Sequence, residues 1–255
     1  MAGKKILFIN PLHTDVFDEE FRTQFERFKS PDTVVDIVSF APEQGPIHLE
    51  YNCYEAMVIP ELIRTVKKAE ENGYDAAIIG CFYDPALRAS REVAEKMVVT
   101  APAEAALHIA TTLGESFSII VGQQKWIPEM KENVHKYGFS HKLASFKPLG
   151  LGVHDFQKDH EETKRRIRTA AREAIENDGA DVIVLGCTAE FGFFETLQAE
   201  LGVPVIDASL SPFKYAEFLV ELKQKLAWTH SKKVGYQSPP VKEVEEFNLF
   251  NPVFK

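Results

Sequence analysis

Cysteine is scarce in this chain: three residues in 255, none of them spaced as Cys-x-x-Cys. That spacing excludes a disulfide framework and a zinc knuckle, and a reducing, cytoplasmic setting follows as the default expectation. No Gly-x-Gly-x-x-Gly or Gly-x-x-x-x-Gly-Lys-Ser/Thr stretch is present to cradle a phosphate, and no Gly-x-Ser-x-Gly elbow to carry a serine nucleophile. The eight histidines are scattered without ligand spacing and there is no His-Glu-x-x-His, so neither a catalytic metal nor a cofactor is expected. Positive charge is in deficit. A formal charge of −9 and a pI near 5.5 leave no basic face for a nucleic-acid backbone. Nor does any apolar run approach the roughly 20 residues that span a bilayer, and Ile6-Leu-Phe-Ile9 near the start is too short for a signal peptide.

What the chain does have is an internal echo. Gly73-Tyr-Asp-Ala-Ala-Ile-Ile-Gly-Cys81 recurs as Gly179-Ala-Asp-Val-Ile-Val-Leu-Gly-Cys187, with glycine, aspartate, glycine and cysteine matching at the same offset. Each copy reads as a short buried strand closed by Gly-Cys. Two similar halves would then each end a central strand in a thiol. Such thiols, facing one another across a cleft, could move a proton from one face of a carbon to the other. The alternative for each cysteine is a small buried hydrophobe at a strand end.

Strand-like and helical runs alternate, which predicts an α/β fold around mainly parallel sheets. The strands are expected at Lys5–Ile9, Val34–Ser39, Ala76–Gly80, Met97–Thr100, Ser116–Val121, Ala144–Leu149, Val182–Gly186 and Val203–Ile206. Helical periodicity is clear over Glu61–Asn72 and His160–Asn177, where Ile167, Ala170, Ala171, Ala174 and Ile175 form an apolar stripe. Asp84-Pro85 suits a helix start just beyond Cys81, and Ser211-Pro212 the start of a last helix. Gly73 and Gly179 suit helix C-terminal caps. The expected architecture is two pseudo-symmetric Rossmann-like lobes, one of residues 1–101 plus 212–227 and one of residues 102–211, with the active site in the cleft between them. Residues 228–255 lack periodicity but carry Trp228, Tyr236, Phe247, Phe250 and Phe254, which suits a tail packed on the body or on a partner subunit.

In open parallel sheets ligands sit beyond the carboxyl ends of the strands, where Cys81 and Cys187 fall. A following helix N-terminus would favour a thiolate. Asn10, ending the first strand, suits either a substrate hydrogen bond or a turn-forming Asn-Pro. Thr188 offers a hydroxyl and an N–H beside the second thiol, and Gly122 permits close backbone approach to a ligand. Phe82, Tyr83, Phe191, Phe193 and Phe194 place aromatics near both cysteines, most of them core, with Phe82 a candidate for the substrate pocket. His13 reads as a surface-loop residue and Cys53 as a bystander. Arg88 and Arg91 are the cations that could turn inward.

Gly80-Cys-Phe-Tyr-Asp-Pro-Ala-Leu87 together with the second Gly-Cys motif resembles the Asp/Glu/hydantoin racemase superfamily, closest to its hydantoin and allantoin racemase branch. Asn10-Pro11, Gly45-Pro46 with Glu50, Arg91-Glu92, Glu104-Ala-Ala106 and Pro204-Val-Ile-Asp207 extend the resemblance over roughly residues 5 to 225. It implies cofactor-independent chemistry in which one cysteine removes an acidic proton and the other returns it on the opposite face. The chain departs from the branch in Asn10-Pro-Leu-His-Thr14, in Val121-Gly122 and in Gly186-Cys-Thr-Ala-Glu190, whose Cys-Thr pair is closer to amino-acid racemases. The expectation is therefore an isomerase for a small molecule with a carbonyl-activated C–H, foremost a 5-substituted hydantoin or related ureide, working as a homo-oligomer. An amino-acid racemase, a maleate-type cis–trans isomerase, a malonate decarboxylase and a non-catalytic binding protein are the alternatives.

Overall fold

The computed structural model describes residues 3–250. Met1 and Ala2, counted in the expected first lobe, and residues 251–255 with Phe254 lie outside them.

Two four-stranded sheets form, each wholly parallel. The first joins β1 (Lys4–Asn10), β2 (Thr33–Ser39), β3 (Ala76–Ile79) and β4 (Val98–Thr100) in the order β2-β1-β3-β4. The second joins β5 (Phe117–Val121), β6 (Leu143–Pro148), β7 (Val182–Leu185) and β8 (Val205–Ile206) in the order β6-β5-β7-β8, which is the same topology repeated. All eight expected strands form within two residues of their expected bounds. The segments Ala76–Ile79 and Val182–Leu185 are fully buried at every position, which in a pleated strand requires cover on both faces.

Helices supply that cover. They are α1 (Asp18–Phe28), α2 (Asn52–Glu71), α3 (Leu87–Val93), α4 (Pro102–Leu113), α5 (Ile127–Lys136), α6 (His160–Asp178), α7 (Phe194–Leu201), α8 (Leu210–Leu226) and the short α9 (Val241–Glu246). The two halves exchange their last helices: α4 lies against β7 and β8, whereas α8 lies against β1, β3 and β4. The contact is aromatic. Phe8 of β1 meets Phe21 and Phe25 of α1 at 4.8 and 5.0 Å between ring centres, and Phe25 meets Phe213 of α8 at 4.7 Å.

Several local expectations change. Helix α2 begins nine residues before Glu61 and runs through Pro60, because Val58, Leu62, Val66 and Ala69 bury one continuous face and hold the helix across the missing N–H. Asp84 does not cap the helix that follows it. Its carboxylate accepts from the N–H groups of Ala103 and Glu104 at 2.8 Å each and so caps α4 instead. Ser211 is inside α8, whose first turn is capped by Asp207 through Ser209 and Leu210. Gly73 and Gly179 do follow α2 and α6 in the left-handed conformation, with φ of 75° and 73°.

Beyond α8 the chain packs against the edge strand β4 and helix α3, and includes α9, where the sequence shows no helical pattern. His230 Nε2 accepts the Val99 N–H, the Lys232 ammonium donates to the Arg91 carbonyl, and Ser238 donates to the Glu92 carbonyl. The Tyr236 hydroxyl accepts from Arg91, while Trp228 and Phe247 are 65% and 64% exposed.

Candidate active site

The topology creates two equivalent positions. In each sheet the chain turns from the first central strand to one side and then to the other, so the carboxyl ends of β1 and β3, and of β5 and β7, flank a switch point where ligands bind. Gly80 and Gly186 set the next residue at those points. Their N–H groups donate to the Ile9 and Ile120 carbonyls at 2.8 and 2.7 Å, and a Cβ would stand 2.8 and 2.6 Å from those same oxygens. Only glycine closes the strands this tightly. Cys81 and Cys187 then leave the sheet in matching turns, sealed by the Asp84 and Glu190 N–H groups on the cysteine carbonyls at 3.0 Å.

Both thiols line one cavity, whose empty space is about 430 Å³ when counted out into the open mouth. Cys81, Phe82 and Tyr83 form the wall from the first half, Cys187 and Thr188 the wall from the second. Leu12, Leu49, Trp126, Met130 and Val153 make the remainder apolar. Glu50 is the only charged side chain lining it among the described residues, and its Oε1 accepts the Val153 N–H at 2.9 Å.

Hydrogen bonds hold the two walls together. The Thr188 hydroxyl donates to the Gly80 carbonyl at 3.2 Å, the Asn133 amide to the Tyr83 carbonyl at 2.6 Å, and the Tyr137 hydroxyl to Asp84 at 2.7 Å. At the mouth, Asn52 of α2 donates to Glu129 of α5 at 3.0 Å. Burial, reinforced by Glu129, pushes the neighbouring Glu55 carboxyl up to about 8.

Neither α3 nor α7 starts close enough to place a helix N-terminus at a thiol, contrary to the sequence expectation. The first begins at Leu87 and the second at Phe194. Burial pushes the Cys81 thiol well above its ordinary range; the Tyr83 N–H opposes this, and charge on Glu55, Cys187 and Glu129 adds to it. Burial likewise raises Cys187, with Glu190 and Glu50 adding and the Ala189 N–H opposing. Both shifts favour the protonated thiol, so ionising either sulfur takes more than it does for an ordinary thiol near 8.5.

Of the candidates read from sequence, Cys81, Cys187, Phe82 and Thr188 meet in this cavity. Asn10 does not line it: its amide donates to the Thr14 carbonyl at 3.1 Å and the Ser39 hydroxyl at 2.9 Å, so its donors are spent on the loop after β1. Gly122 does not line it either. The space a side chain would take is filled by the Trp126 ring and the Leu151 carbonyl, within 2.3 to 2.4 Å of a Cβ, so the close approach is by the protein itself. His13 is buried, its ring bonded to the Ala41 carbonyl at 2.7 Å. Arg88 is exposed, and Arg91 is buried in an ion pair with Glu104 away from the cavity. Phe191, Phe193 and Phe194 also lie outside the lining, and Cys53 is exposed on α2. Sequence reasoning missed Leu49, Trp126 and Met130, which reach the cavity from a loop and from the start of α5.

The Asp/Glu/hydantoin racemase family profile matches residues 6–210. The chain belongs to the Asp/Glu/hydantoin racemase family. This racemase is 35% identical to a hydantoin racemase of Pseudomonas sp. (strain NS671) over 94% of its own length and 93% of the relative's. It is 36% identical to a hydantoin racemase of Paenarthrobacter aurescens, covering 94% and 99% of the two chains. Its fold superposes on an allantoin racemase from Klebsiella pneumoniae with a TM-score of 0.88 at 28% identity, over 98% and 100% of the two chains. By that kinship it is an isomerase.

Proposed function

We propose that this racemase inverts the C5 centre of a 5-substituted hydantoin or a closely related ureide ring, with Cys81 and Cys187 as opposed base and acid. The observation that carries this is the cavity itself: two thiols, one from each half, in an apolar lining without a cation. A dicarboxylic amino acid would lose the hydration of two carboxylates there with no cation to offset it. A neutral ring loses far less, and its ring N–H groups can donate to acceptors of the lining such as the Glu50 carboxylate. Relatives named as hydantoin and allantoin racemases support the same substrate class, since allantoin is itself a 5-substituted hydantoin.

In one direction a Cys81 thiolate takes the C5 proton and the C–H electron pair passes into the adjacent carbonyl as an enolate. The Cys187 thiol then delivers its proton to the opposite face of C5. The product leaves with Cys81 protonated and Cys187 ionised, so the reverse reaction starts from that state. Burial raises both thiols, which makes each a stronger base once ionised and narrows the gap to the weakly acidic C–H. Backbone N–H groups of the two cysteine turns are the donors at hand for the enolate oxygen. A reducing, cytoplasmic setting suits this chemistry because both thiols must stay free.

The test is proton NMR in D2O with 5-substituted hydantoins, allantoin, aspartate, glutamate and maleate. Exchange of the C5–H on the rings alone is expected. Exchange or conversion confined to the amino acids or maleate contradicts the substrate class.

A further inference from the structure

The internal repeat runs three residues past each cysteine. Asp84 stands to Cys81 as Glu190 stands to Cys187, at the same offset, with the same backbone hydrogen bond to the cysteine carbonyl, and both side chains are buried at 3% and 1% exposure. Their uses differ. Asp84 spends both oxygens on the α4 N-terminus and on the Tyr137 hydroxyl. In the second half the equivalent helix, α8, is already capped by Asp207, which leaves Glu190 without that task. Its Oε2 turns back and accepts the Cys187 N–H at 3.2 Å, while Oε1 is buried with no hydrogen-bond partner among the described residues.

We infer that Glu190 is the positioning residue of the second thiol, its carboxyl holding the Cys187 N–H and so fixing where that sulfur stands against the substrate.

A buried polar oxygen left unsatisfied is destabilising, which makes a carboxyl a poor choice for filling space at this point. The Cys187 turn needs an acceptor for its N–H, and Glu190 Oε2 supplies it. Burial raises its carboxyl well above the usual range and so favours the neutral form, with the Cys187 N–H opposing, the charge on Asp207 adding and the Gly186 N–H opposing. The titratable groups that bear on this pair are Asp207 from the β8–α8 connection, Cys187 on the same turn, and Glu50 and Cys81 across the cavity.

The inference rests on the proposed role of Cys187, and its test separates the two. Iodoacetamide labelling of Cys187, resolved by peptide mass and followed against pH without substrate, reads the thiol directly. Deuterium exchange of each pure hydantoin enantiomer reads each face. Glu190→Leu, which keeps bulk but offers no acceptor, is expected to shift the Cys187 labelling profile. It should also slow exchange on the Cys187 face about 10²-fold, the cost of a misplacement near 1 Å. Cys81 labelling and exchange on the other face should hold. Glu190→Gln, with an acceptor oxygen and no charge, should rescue both readouts to within about threefold of the parent. If Glu190→Leu lowers the melting temperature and slows both faces equally while the Cys187 profile stays put, the residue is structural and the inference falls. Should Glu190→Leu fail to fold, Glu190→Gln decides alone: a Cys187 profile moved by a pH unit or more overturns it. Labelling is read without substrate, so a wrong substrate class would leave this result standing.

Discussion

Replacing Gly186 by alanine tests how the fold places a thiol. The added Cβ would lie 2.6 Å from the Ile120 carbonyl oxygen and 2.9 Å from a methyl of Ile119. Ordinary contact begins near 3.4 Å, so roughly 0.8 Å must be found, and the nearest atom is backbone in the middle of a sheet. The Ile120 oxygen is fixed because it also accepts the Gly186 N–H at 2.7 Å. The end of β7 must therefore move, taking Cys187 with it. Overpacking of this kind costs about 1–3 kcal/mol of stability, and a shift near 1 Å at a reacting group costs about 10²-fold in rate. The assays are urea unfolding and racemisation of a pure hydantoin enantiomer followed by polarimetry. We expect Gly186→Ala to remain folded, lose about 1–3 kcal/mol and racemise about 10²-fold more slowly. Racemisation within threefold of the parent would show that the Gly-Cys strand end does not set the thiol's position.

Stability should fall as pH rises from 6.5 to 8. Burial raises Asp84 to about 7 and Glu55 to about 8, so the folded chain keeps protons there that the unfolded chain has lost. Below 6.5 the buried His230, lowered to about 4, acts in the opposite sense, because the unfolded chain then takes up its proton. Urea midpoints across that window check the sign, and a flat or rising profile contradicts it. Arg91→Ala leaves the partly buried Glu104 without its partner and removes the bond to Tyr236, and is expected to cost up to about 3 kcal/mol and expose residues 228–250 to limited proteolysis. Unchanged unfolding and cleavage would argue that the pair does not anchor this segment. Cys53→Ser should leave racemisation unchanged, since Cys53 is exposed on α2 and lies outside the cavity lining. A loss of activity with the fold intact would mean a third thiol takes part.

Strand positions were legible because the runs of Ile, Val and Ala between Gly and Asp signals leave no other use for them, and the echo of Gly-Cys announced two similar halves. What the sequence hid depends on contacts between those halves. Trp126, Met130 and Val134 share one apolar face at helical spacing, which marks them as buried, but only the placement of α5 over the cavity brings Trp126 and Met130 to it. Asn10 suits either a substrate or its own turn when read in sequence, and it is Thr14 and Ser39 that take its amide donors. Asp84 reads as the cap of the next helix, whereas it reaches α4 nearly twenty residues further on. In each case local chemistry named the group correctly, and tertiary packing chose its partner.

The central claim is that each thiol serves one face of the substrate carbon. Cys81→Ser and Cys187→Ser, each given both pure enantiomers of a 5-substituted hydantoin in D2O, test it directly. A serine hydroxyl is too weak a base at neutral pH to substitute, so racemisation should fall by more than the roughly 10²–10⁴-fold of a single positioned acid or base. Each variant should still exchange the C5 proton of one enantiomer, and the two variants should exchange opposite ones. Near-normal racemisation by either variant, or exchange of the same enantiomer by both, would contradict an opposed pair.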